Sequence, residues 1–67
     1  MIEVISVRKA DNDEPPHFEL VYVDLDKEKN EKGYFQTTKY GPASVLREVL
    51  KSGGVSDANI DTCFGNA

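Results

Sequence analysis

Gly41-Pro42 and Ser52-Gly53-Gly54-Val55-Ser56 divide this chain of 67 residues into two kinds of segment. Before Gly41, apolar and polar residues alternate at the period of strands. After it, Val45, Leu46, Val49 and Leu50 recur at three- and four-residue steps, the stripe of an amphipathic helix. Two glycines then stop that helix, and a second short helix begins. The punctuation predicts a sheet half over residues 1–40 and a helical half over 41–65, with 66–67 as a frayed tail.

Three strands are expected. Ile2 to Val7 is rich in β-branched residues, and Asp11-Asn12-Asp13-Glu14-Pro15-Pro16 closes it as a turn. The two prolines lack backbone donors and keep that turn out of any ladder. Phe18 to Leu25 is the second strand. Asn30-Glu31-Lys32-Gly33 reverses the chain, with Gly33 suited to positive φ. Tyr34 to Tyr40 is the third. Short connections favour an antiparallel meander with the second strand central.

In the helical half, Gly41 is the expected N-cap and Pro42 the first helical residue, where a missing N–H costs nothing. Tyr40 would then staple onto Val45. Gly53 is expected to end the helix. Ser56 caps the second helix, Val55 and Ile60 have staple spacing, and Asp57 suits the first turn. Two turns of helix do not persist alone, so the pair must pack as an α-hairpin. The fold class is therefore α+β, a single β-β-β-α-α domain with the hairpin on one sheet face. The expected core is Ile2, Val4, Phe18, Leu20, Phe35, Val45, Leu46, Val49, Leu50, Ile60 and Phe64; because both strand faces are apolar, a one-residue alternative puts Val21 and Val23 inside instead.

Strand two has two apolar faces. Alternation puts Phe18, Leu20 and Tyr22 on one side and Glu19, Val21, Val23 and Leu25 on the other. Strand one divides likewise, into Ile2 and Val4 against Ile5 and Val7. A chain this small buries only about 60% of its unfolded surface, and a two-layer domain covers one sheet face. Ile5, Val7, Val21, Val23 and Leu25 are therefore the candidate partner-binding residues. A protein partner or a second copy of the chain would meet that face or an edge strand.

Charge and motifs narrow the classes. The chain has 8 basic and 12 acidic residues, for a net charge of −4, which argues against a general nucleic-acid binder. Residues 27–51 are locally basic. There Tyr34, Phe35 and Tyr40 lie among Lys27, Lys29, Lys32 and Lys39, a pattern in which aromatics stack on bases and lysines meet phosphates. Three antiparallel strands followed by a helix are similar in layout to the sheet-type DNA-binding domains of phage integrases. Those domains carry basic residues on the reading face, whereas strand two here carries Glu19 and Asp24. As a helix-turn-helix, the α-hairpin lacks any Lys or Arg on its second helix, where Asp57 and Asp61 would repel phosphate.

Catalytic and metal readings find little. Asp24-Leu25-Asp26-Lys27-Glu28 alternates like a calcium loop, but Lys29 stands where the loop requires glycine. Cys63 is the only cysteine and His17 the only histidine. That excludes an intrachain disulfide and leaves a zinc site short of ligands. His17 has no triad companions in the sequence. No catalytic residue, metal, cofactor or small-molecule substrate is expected. The acidic first loop, Asp11 to Glu14, is a further candidate contact for a larger assembly. No signal-like or membrane-spanning stretch occurs in the sequence, and a lone cysteine suits a reducing compartment, so the expected location is cytoplasmic.

Overall fold

The computed structural model describes residues 1–11, 14–29 and 31–66. Strands β1 (Ile2–Lys9), β2 (His17–Asp24) and β3 (Gln36–Pro42) precede helices α1 (Ala43–Ser52) and α2 (Asp57–Gly65). The strands form one antiparallel sheet in the order β1-β2-β3. Both helices pack on a single face of it, giving the α+β architecture expected from the alternation and caps. Asn12 and Asp13 of the first loop, Asn30 of the second reversal and Ala67 of the tail lie outside the described residues.

Leu20, Leu46, Leu50 and Ile60 are buried at the sheet–helix interface. Ile2, Val4, Val7, Phe18, Tyr22, Val49, Val55 and Phe64 pack around them. Phe18 and Phe64 meet edge to face at 5.3 Å, joining β2 to α2. The Arg47 guanidinium lies 5.1 Å from the centre of the Phe64 ring and donates to Asp61 Oδ1 at 2.6 Å, tying α1 to α2.

Val7 was expected on the open face and is instead part of the core layer. The cause is a β-bulge in β1. Val4 pairs with Tyr22 and Ser6 with Val21, so Ile5 is an extra residue in the ladder. The shift by one turns Val7 toward Leu20 and the helices, while Ile5 stays 49% exposed. Four other expectations fail. Phe35 precedes β3, beyond the cover of the helices, and is 59% exposed rather than core. Val45 is 54% exposed, and no Tyr40–Val45 staple forms. Gly41 and Pro42 remain extended at the end of β3, so Tyr40 stays in the strand, on the face away from α1. Pro42, not Gly41, becomes the N-cap.

The two glycines after α1 have separate roles. Gly54, with φ of 89°, takes the left-handed position expected of Gly53. Its N–H donates to the Lys51 carbonyl at 3.1 Å, and the Val55 N–H to the Leu50 carbonyl at 3.0 Å, a Schellman closure. Gly53 has an ordinary φ of −83°, but a Cβ there would lie 2.4 Å from Ile2 Cγ1. The close approach lets the Ile2 N–H donate to the Gly53 carbonyl at 3.0 Å. Ser56 caps α2 as expected, its Oγ accepting from the Asn59 N–H at 3.3 Å. Gly33 takes positive φ in the second reversal.

Gly53→Ala is expected to destabilise the fold by about 1–3 kcal/mol through overpacking against Ile2, measured as a lower urea midpoint. In an Ile2→Ala background that added cost should shrink, because the colliding atoms are gone. Gly54→Ala is expected to cost about 1 kcal/mol whatever stands at position 2.

Candidate functional site

The face of the sheet opposite the helices is the candidate interaction surface. The register brings its residues into rows. Val21 lies between Ser6 and Thr38, Val23 between Glu3 and Gln36, and Glu19 between Arg8 and Tyr40. Ile5 protrudes beside Val21 because the bulge sets two β1 residues against one of β2. Val21 and Val23 are half-buried by their neighbours alone, and Leu25 continues their row just past the end of β2. Four of the five residues singled out as partner-binding thus share this side. Val7 does not, for the reason given above.

Polar groups border the apolar centre. Arg8 Nε donates to Glu19 Oε1 at 3.0 Å, and a second guanidinium nitrogen lies 2.9 Å from the same oxygen. An exposed pair of this kind adds little stability and leaves a charge-balanced margin.

A cluster that the sequence did not reveal occupies the corner where the first loop meets β3. The Asp11 carboxylate accepts a hydrogen bond from the Tyr40 hydroxyl through Oδ2. Through Oδ1 it accepts from the His17 backbone N–H at 3.1 Å. The His17 ring stacks on Tyr40 with centroids 5.3 Å apart and planes 16° from parallel. His17 Nδ1 is shielded from solvent and lies 3.6 Å from Asp11 Oδ1. One carboxylate, two residues past the end of β1, therefore fastens the start of β2 and the C-terminal part of β3. The Glu14–Pro15 peptide within this loop is cis. Asp11 stands 29 positions from Tyr40, and no motif links them in the sequence.

The seven residues of the nucleic-acid pattern do not converge on one surface. Tyr40 is on the open face, whereas Lys39 pairs with Leu20 and belongs to the helix side. Tyr34 is exposed before β3 with the Lys29 ammonium 5.6 Å from its ring centre. Phe35 is exposed beyond the helices, and Lys27 and Lys32 are exposed in the β2–β3 connection. In the same connection the Asp26 carboxylate holds the Met1 ammonium, and Asp24 Oδ1 accepts from the Asp26 N–H at 3.0 Å.

A cleft of about 440 Å³ separates β1 from α2, lined by Ile2, Val4, Val55, Asn59, Thr62 and Cys63 among others. Cys63 is half-buried there with a free thiol. Among the described residues, no group of three or more His, Cys, Asp or Glu is placed to hold a metal ion. No helix of the described residues is long and apolar enough to cross a membrane. Compared with known proteins, the chain matches no family model, and neither a curated protein nor a solved structure matches it significantly.

Asp11→Ala removes the acceptor of two hydrogen bonds and is expected to cost about 1–3 kcal/mol. Tyr40→Phe, which loses one of them, should cost about 1 kcal/mol, and Arg8→Ala less than either. Urea denaturation of the three variants checks the order.

Proposed function

We propose that this chain is a small non-catalytic interaction module that binds a protein through its sheet. The observation that carries the reading is the placement of Ile5, Val21 and Val23. They sit together on the face opposite the helices, inside a polar border of Glu3, Ser6, Arg8, Glu19, Gln36 and Thr38. An apolar centre with a polar rim is the anatomy of protein interfaces. Both described helices cover the other face, and no described helix lies on this one. The Asp11–His17–Tyr40 fastening supports the same reading. It stiffens one corner of the face and lowers the ordering cost of binding there.

Replacing Val21 and Val23 by lysine tests it. Both side chains point away from the core, so the double variant should keep the circular dichroism spectrum of the parent. The immobilised parent chain is expected to retain a protein from extracts of its native host that the variant loses. Equal retention by both removes the open face as the binding surface. Oligonucleotide titration at low salt should leave the Tyr34 and Tyr40 resonances in place, because the basic and aromatic residues are spread over different sides.

A further inference from the structure

We infer that the edge of β3, beyond which no other described strand lies, together with the adjoining flank of α1, pairs two copies of this chain about a two-fold axis near Thr38. This rests on the association reading above and names a partner and a surface for it. The two edges of the sheet are unlike. The β1 edge is closed to further pairing by its bulge at Ile5 and by the Gly53 carbonyl on the Ile2 N–H. The β3 edge has an unbroken register from Gln36 to Pro42 with Lys39 as its one charged residue.

Ladder geometry shows which groups face outward on β3. The Leu25 N–H donates to the Met1 carbonyl and the Ala10 N–H to the His17 carbonyl. Alternation along β2 then aims the Glu19, Val21 and Val23 backbone groups at β1, and those of Phe18, Leu20 and Tyr22 at β3. On β3 the inward residues are Thr37, Lys39 and Gly41. Gln36 and Thr38 turn N–H and C=O outward. An antiparallel copy centred on Thr38 lets the two Thr38 residues exchange both hydrogen bonds. Lys39 then faces Thr37 of the second copy, and no like charges stand opposite.

The helices supply the apolar part. Arg47 of α1 reaches Asp61 and Phe64 of α2, so its side of α1 faces α2. α2 lies against β1, whereas α1 lies against β2 and β3. The opposite flank of α1 therefore overlooks the β3 edge. That flank is an open helix face formed by Ser44, Val45, Glu48, Val49 and Ser52, with Val45 54% exposed. Strands lie about 4.8 Å apart, so a helix over the β2–β3 gap would meet its two-fold copy at about 10 Å. That is the ordinary spacing of packed helices. The paired edge and the paired Val45–Val49 flanks thus close in one step, and the interface is isologous.

Sedimentation equilibrium across the micromolar range tests this. The parent chain is expected to move from one-chain to two-chain mass as concentration rises. Val45→Glu, at an exposed site, should hold it at one-chain mass with an unchanged circular dichroism spectrum. Thr38→Pro should do the same, since its N–H points away from β2 and prolines are accepted on edges. If that variant fails to fold, Val45→Glu carries the test alone. A parent chain that stays at one-chain mass overturns the inference and leaves the capture of another protein by the open face untouched. A dimer that survives Val45→Glu but dissociates on replacing Val21 and Val23 by lysine also overturns it, because the pairing then runs through the open face.

Discussion

The contact between Ile2 and Gly53 organises the molecule. A backbone hydrogen bond and a side chain packed where a Cβ would stand join the first strand to the turn between the helices. That turn can lie so close because Gly54 absorbs the left-handed residue of the Schellman closure and leaves Gly53 ordinary dihedrals. With the turn anchored on β1, α2 is held over β1, and Phe64 reaches Phe18. α1 then lies across β2 and β3, with Leu46 and Leu50 over Leu20. Two residues most of a chain length apart decide which sheet face is closed and which edge is plugged.

Much of this was legible in the sequence, where local chemistry is strong. Alternation marked the strands, the 45–50 stripe marked α1, and Ser56 declared its own cap. The boundary at Gly41-Pro42 was misread by a residue because Pro42 satisfies two roles equally well. Its fixed φ suits the first helical position and also the extended cap it adopts. Likewise, Gly53-Gly54 announced a stop without saying which glycine takes positive φ. That choice is made by Ile2, which packs on one of them and not the other.

The candidate surface was harder to read, for two physical reasons. A bulge at a β-branched residue carries no marker such as glycine, so strict alternation assigned Val7 to the wrong side. The Asp11–His17–Tyr40 cluster depends on the Asp11 side chain reaching both the start of β2 and Tyr40 of β3, a tertiary event that no local pattern encodes. Val21 and Val23 share one face because the central strand is regular, with partners on both sides to hold its register, but which face the helices close was not legible, since both are apolar.

The bulge has an uncommon implication for how this strand tolerates change in length. A deletion inside a strand normally rotates every later side chain to the opposite face. Here the deletion of Ile5 alone would do the reverse. Val4 would still face Tyr22, Ser6 would still face Val21, and Val7 would still face Leu20, now in an uninterrupted ladder. The core would keep its composition, while β1 became a straight and fully regular rim. Ile5 is thus dispensable to the interior, and its presence keeps that rim from offering itself to passing strands.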